Sequence, residues 1–210
     1  MKTALENLLN TQKEEVTLAP RDFLYQEGQM ARHIYCLEEG TIFTFKKNAR
    51  GQNLWLNFSQ PGQILGLIAL KKPTYGHSAQ ALSPVRALRL EINKIRDLLH
   101  QDMQFRLQVM TELSRQISLN EDKGISLHNK TLRQRIARMF LELIRSLEYP
   151  QHAENPTLPI CCPFHELADF LGASPQKVDK TLEELINEGI IRKEEERIKV
   201  LNRRAIEALV

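Results

Sequence analysis

The sequence has no uninterrupted apolar run near the ~18 to 20 residues that cross a bilayer, and Met1 to Glu15 lacks the apolar block of a secretory leader. A cytoplasmic protein is the expectation. Cysteine is scarce: the chain holds three, Cys36, Cys161 and Cys162, with no CxxC spacing. That count fits a reducing compartment better than a disulfide framework and excludes a cluster held by four thiolates. Neither charge sign dominates, with 29 Lys and Arg against 26 Asp and Glu for a net +3. Residues 131–210 carry 12 of the former and 13 of the latter, so bulk charge singles out no nucleic-acid face. No HExxH, GxSxG, Walker or Rossmann spacing occurs, which leaves no candidate catalytic residue and no enzyme reading. No metal site is nominated either.

What is present is a chain of 210 residues, 42% hydrophobic, enough for two modest cores. From Val16 to Leu90 short apolar runs alternate with turn residues. Phe23-Leu24-Tyr25 precedes Glu27-Gly28, His33 to Leu37 precedes Glu39-Gly40, and Thr41 to Phe45 precedes Arg50-Gly51. Leu54 to Phe58 leads to Pro61-Gly62, and Val85 to Leu90 closes the series. Strands this short predict an all-β barrel, sandwich or roll.

Beyond Ile92 neither Gly nor Pro occurs until Gly124. Leu98, Leu99, Met103, Leu107, Met110, Leu113 and Ile117 recur three or four apart, which predicts a long helix from about Asp102 into the 120s. Its stripe of Met103, Leu107, Met110, Leu113 and Ile117 either lies on the β domain or pairs with a second copy of the chain. A break near Gly124 to Lys130 precedes another helix, capped by Thr131 or Asn129 and burying Leu132, Ile136, Met139, Phe140, Leu143, Ile144 and Leu147. Pro150 ends it, and Gln151 to Thr157 reads as a loop. The expected domains are 1–124, including the helix of about 102–124, a hinge at 125–130, and 131–210.

The segment Phe164 to Leu185 is the most informative. Phe164, Leu167, Ala168 and Leu171 share one helical face, and Gly172 supplies a left-handed stop. Ser174 followed by Pro175 starts a new helix at once, with Val178, Thr181, Leu182 and Leu185 inward. Two helices joined by so tight a turn cross steeply, as in a helix-turn-helix. Pro175, Gln176, Lys177, Asp179, Lys180 and Glu183 then face outward. Gln176 suits adenine, and Lys180 suits guanine O6/N7 or a phosphate. Ile190 to Lys193 and Arg197 to Val200, with Glu194-Glu195-Glu196 between them, form a wing. The DNA-binding set is Ser174, Pro175, Gln176, Lys177, Lys180, Arg192, Lys193 and Arg197.

This order of parts resembles the Crp/Fnr superfamily of bacterial transcription regulators over nearly the whole chain. The resemblance rests on Gly28, the stretch Ile34 to Gly40, Pro61-Gly62 and Gly66 to Leu70. Downstream it rests on Glu166-Leu167-Ala168, Leu171-Gly172, Ser174, Gln176, Val178, Lys180 and Leu182. It implies an α+β chain: an N-terminal double-stranded β-helix (a jelly-roll-like β-roll), a long dimerisation helix and a C-terminal winged helix-turn-helix. It further implies a homodimer on a palindromic operator of duplex DNA, an effector in the roll, and RNA polymerase as a partner if the outcome is activation. Gln176 stands where the family usually has Glu, and Lys180 where it has Arg, so the operator departs from the family's usual one. Pro163 and Phe164 replace a basic residue and a polar cap.

Relatives that bind cyclic AMP hold its ribose with a Glu in Gly-Glu-x-x-Leu and its phosphate with an Arg before Ser/Thr-Ala. Here the matching effector-pocket residues are Gly66, Leu67, Ile68, Ala69 and Leu70, then His77, Ser78 and Ala79. Leu67 accepts no hydrogen bond, and a neutral His77 does not replace a guanidinium, so cyclic AMP in that mode is not expected. The effector is unknown. Haem ligation by His33, His77, His100 or Cys36 has no supporting spacing, and Cys161-Cys162 reads as buried packing rather than a thiol sensor. The alternative function is a ligand-sensing adaptor whose helix-turn-helix contacts protein.

Overall fold

The structure is a computed structural model that describes residues 14–49, 51, 53–147, 156–159, 167–194 and 197–210. Its first sheet takes the order β1-β8-β3-β6, from Glu14–Leu18, Val85–Glu91, His33–Glu39 and Ile64–Leu65. The second takes the order β2-β7-β4-β5, from Phe23–Tyr25, Ser78–Ala81, Ile42–Lys47 and Asn53–Ser59. β3 pairs antiparallel with β8, placing Tyr35 opposite Arg89 and Cys36 opposite Leu88. Ile34 to Leu37 are all buried, so this strand is covered on both faces and reads as an unbroken apolar run.

The chain divides into two compact units, one of residues 1–42 with 59–124, the other of 43–58 with 125–210. In the first, Tyr25, Ile34, Leu37, Ile42, Ala79, Leu88 and Ile95 belong to one core, which Phe105 and Val109 complete. Helix α1 (Ile92–Gln101) precedes helix α2 (Met103–Asn129), which starts within a residue of the Asp102 that the sequence suggested. Asp102 leaves helical geometry at φ −115° and ψ 109°, and its Oδ1 accepts the Phe105 N–H at 3.0 Å. The Arg106 guanidinium turns back to donate to the last carbonyls of α1, Leu99 at 2.8 Å and His100 at 3.2 Å.

Helix α2 does not stop at Gly124, as the sequence led us to expect, but carries that glycine inside it and runs to Asn129. A lone glycine costs a long helix only about 1 kcal/mol, too little to end it. The next helix, α3 (Leu132–Ser146), starts at Thr131 with a full capping box. Thr131 Oγ1 accepts from the Gln134 N–H, and Gln134 Oε1 accepts from the Thr131 N–H at 3.0 Å. Ile136, Met139, Phe140, Leu143 and Ile144 are buried. This helix ends at Ser146 with Leu147 as its C-cap, short of the expected stop at Pro150, which lies outside the described residues.

Besides β1, β6 and β7, which the apolar runs did not mark, one strand of the second unit was not anticipated. β9 (Thr157–Pro159) joins β10 (Ile191–Glu194) and β11 (Arg197–Val200) in the order β10-β11-β9. Two prolines at 156 and 159 made this segment look like a loop, but β9 is an edge strand, where a missing N–H is tolerated. Helices α4 (Leu167–Phe170), α5 (Pro175–Asn187) and α6 (Arg203–Ala208) complete the second unit.

The turn between β3 and β4 is the most restrictive backbone site. Gly40 has φ +83°, and a Cβ there would lie 2.1 Å from the Pro84 carbonyl oxygen. Replacing Gly40 with Ala adds both left-handed strain and a clash with main chain. We expect Gly40→Ala to lower equilibrium stability in urea by about 3 kcal/mol or more; a loss under about 1 kcal/mol would show that the hairpin relaxes freely.

Candidate nucleic-acid interface and sensor site

The helix-turn-helix is built by local backbone chemistry. Gly172 adopts φ +60°, and its N–H bonds the Asp169 carbonyl at 3.1 Å while the Ala173 N–H bonds Ala168 at 2.9 Å. That paired closure ends α4. Ser174 takes the extended conformation of an N-cap, with Pro175 as the first helical residue. Its side chain, contrary to the usual cap, makes no capping hydrogen bond, so proline's fixed φ and the extended Ser174 backbone set the start of α5. Val178, Leu182 and Leu185 are buried. Ser174, Pro175, Gln176, Lys177, Asp179, Lys180 and Glu183 are exposed along the opposite face.

Arg192, Lys193 and Arg197 are exposed on β10 and β11, where Ile191, Ile198 and Val200 point into the unit. Glu194 is paired in register with Arg197. Glu195 and Glu196 of the wing turn lie outside the described residues, as do Cys161, Cys162, Pro163, Phe164, His165 and Glu166. β10 begins at Ile191, one residue later than the wing's expected start.

In the first unit, Gly66, at φ +84°, begins a single 3₁₀ turn over Leu67–Leu70. Leu67 and Ala69 are buried, Ile68 and Leu70 half-buried, and Ser78 and Ala79 buried on β7. Three tyrosines that the sequence reading did not single out occupy this region. Tyr25 stacks on Tyr75 with ring centroids 3.9 Å apart and lies 5.9 Å from Tyr35. The Tyr25 hydroxyl is 3.0 Å from His77 Nε2 and bonds the Gly66 backbone. The Tyr75 hydroxyl donates to the His33 carbonyl at 2.7 Å. Ser78 Oγ accepts the Glu27 N–H at 3.0 Å.

The pocket residues therefore already satisfy one another. Burial pushes the Tyr25 hydroxyl far above the phenol range, with Tyr75 and Tyr35 adding to the rise, and burial does the same to Tyr75. His33 is held below the usual imidazole range by burial first and then by Arg89. His100 is exposed, Cys36 is buried in β3, and among the described residues no group of three or more His, Cys, Asp or Glu is placed to hold a metal ion.

The long helix has two apolar faces. Phe105 and Val109 close the β core, whereas Met103, Leu107, Met110, Leu113 and Ile117 point outward, each between 38% and 61% exposed. The stripe noted in the sequence is thus not the one that lies on the roll. Among the described residues no helix is long and apolar enough to cross a membrane.

A cyclic nucleotide-binding domain model matches residues 15–102, and a Crp-like helix-turn-helix domain model matches residues 134–209. The chain belongs to the Crp/Fnr superfamily. The transcriptional regulator LdrP of Thermus thermophilus is 28% identical over 191 residues, spanning 90% of this chain and 93% of LdrP. The transcriptional activator protein anr of Pseudomonas aeruginosa is 23% identical over 181 residues, 86% of this chain and 74% of anr. Among solved structures, a CRP-family transcriptional regulator from Thermus thermophilus has a TM-score of 0.76 at 26% identity, covering 92% of this chain and 95% of that one. FixK2 from Bradyrhizobium japonicum shares the fold, with a TM-score of 0.72 at 21% identity and coverage of 94% and 97%. This Crp/Fnr chain is thus a transcription regulator with a helix-turn-helix DNA-binding domain, and its relatives are regulators rather than enzymes.

Leu67 offers no hydrogen-bonding side chain, and His77 Nε2 lies 3.0 Å from the Tyr25 hydroxyl. A ligand of about 10 µM affinity supplied at about 1 mM would raise the melting temperature by about 5–10 °C. We expect cyclic AMP at that concentration to shift it by less than about 1 °C in a thermal melt; a larger shift would mean that Tyr25 and His77 give way.

Proposed function

We propose that this regulator acts in the cytoplasm as a homodimer that places one α5 in each half of a palindromic operator. The observation that carries the reading is the outward face of α5: Pro175, Gln176, Lys177 and Lys180 are exposed together while Val178, Leu182 and Leu185 hold the helix from behind. Ser174 opens that face at the helix N-terminus, where base edges or a phosphate are met. Arg192, Lys193 and Arg197 supply the wing's backbone contacts. Gln176 pairs with adenine and Lys180 with guanine or a phosphate.

Dimerisation runs along α2 through Met103, Leu107, Met110, Leu113 and Ile117. Five apolar side chains so open to water on one helix face are the expected seam of a paired helix. Two-fold pairing then presents two reading helices about one turn of duplex apart. Residues 1–124 act as the sensor with its dimer helix, 125–130 as the hinge, and 131–210 as the DNA-binding domain. The controlling effector acts on the roll around Gly66 to Leu70 and His77 to Ala79, and its chemistry differs from that of cyclic AMP. RNA polymerase is a partner where the outcome is activation.

Selection of duplexes from genomic fragments by the purified chain tests this reading. A discrete palindrome should be enriched, with affinity falling steeply as salt rises from 50 to 200 mM, by about 10³-fold for some six phosphate contacts. Lys180→Ala should weaken binding to that palindrome by about 1–3 kcal/mol without disturbing the dimer. Failure to enrich any sequence, with and without cell extract, would favour a protein-contacting adaptor. Separately, Leu107→Glu should yield a folded monomer in sedimentation equilibrium that binds the palindrome at least about 100-fold more weakly; a dimer of unchanged stability would move the interface off α2.

A further inference from the structure

The end of the long helix and the turn before the reading helix are joined by one side chain that the domain assignments leave without a role. Arg135 projects from the first turn of α3. Its Nε donates to the Leu171 carbonyl at 2.8 Å, and its Nη1 donates to the Lys130 carbonyl at 2.5 Å and to Leu127 at 3.2 Å. Nη2 reaches the Gly172 carbonyl at 3.5 Å. One planar guanidinium therefore serves the unsatisfied carbonyls at the end of α2 and those of the turn that launches α5.

The packing agrees with this tie. A Cβ on Gly172 would come within 3.0 Å of Leu127 Cδ2, so the turn lies directly against the last turns of α2. A second arginine, Arg133, binds Glu188 at the far end of α5, its Nη1 lying 2.6 Å from Oε1. That bond holds the Glu188 carboxyl below the usual carboxylate range. Both arginines are half-buried, but the Arg133 tie ends on the exposed carboxylate Glu188 and is screened by salt, whereas Arg135 bonds several backbone carbonyls, so Arg135 is the stiffer of the two ties.

We propose that Arg135 is a positioning residue: it fixes the angle between the last turns of α2 and the reading helix, and through that angle sets which half-site spacing the regulator accepts. This rests on the dimeric reading above. Two reading helices attached rigidly to paired α2 helices meet DNA at one separation. Two attached loosely meet it at several. Lysine at this position would cap one or two carbonyls but lacks the fork that spans both segments.

The test uses the full-length wild type, Arg135→Ala and Arg135→Lys on the palindromic duplex that wild type selects, and on versions with the centre lengthened or shortened by two base pairs. Wild type should lose at least about tenfold in affinity on the altered spacings. Arg135→Ala should lose about threefold or less between spacings, with Arg135→Lys between the two. Amide hydrogen exchange, measured without DNA, should quicken in Arg135→Ala at 127–131 and 171–178 while the β-roll amides keep wild-type rates. An Arg135→Ala protein that binds less at every spacing but keeps the wild-type preference, or whose exchange is unchanged in those segments, overturns the proposal. If wild type selects no palindrome, the dimeric operator reading and the spacing role fall together, and the exchange measurement still decides whether Arg135 ties the two segments.

Discussion

Helix ends carry backbone groups that intrahelical bonding leaves unpaired, and in this protein the partners of those groups settle where each helix stops and what it is fastened to. Asp102 caps the start of the long helix while Arg106 closes the helix before it. Thr131 and Gln134 begin the next helix, and Arg135 gathers the carbonyls left over at the end of α2. Without Asp102 and Arg106 the long helix would have no fixed origin against the β core. Phe105 and Val109 anchor its first turns.

In the first unit, aromatic packing surrounds Gly66 and His77. The stretch that the cyclic nucleotide-binding domain model matches includes the glycine turn at Gly66 and the small-residue strand Ser78–Ala81. Here the space next to them is taken by stacked tyrosines, whose hydroxyls bond His77 and the His33 carbonyl. Buried hydroxyls need partners, and these partners come from the pocket's own groups, so a polar ligand would have to replace bonds already made.

Much of the architecture was legible because its signals are local. Gly172 next to Ser174-Pro175 specifies a stop and a restart within a few residues, and the alternation of apolar runs with Gly and Pro marks the strands of the roll. The resemblance carried the order of domains. Less legible were features whose cause lies far along the chain. β9 is a strand because β11 offers it a partner, despite flanking prolines. Gly124 stays helical because the residues on both sides of it continue the helix to Asn129.

The amino-acid sequence alone determined the winged helix-turn-helix, the β character of the first half and the apolar stripe on the long helix, since these follow from residue spacing and turn chemistry within short windows. Tertiary structure alone decided which apolar face of that helix meets the roll, that tyrosines fill the neighbourhood of Gly66 and His77, and that Arg135 spans two helix ends. These depend on pairs such as Tyr25 with Tyr75, or Arg135 with Leu171, which stand tens of residues apart. Their meeting is set by packing, and no local propensity encodes it.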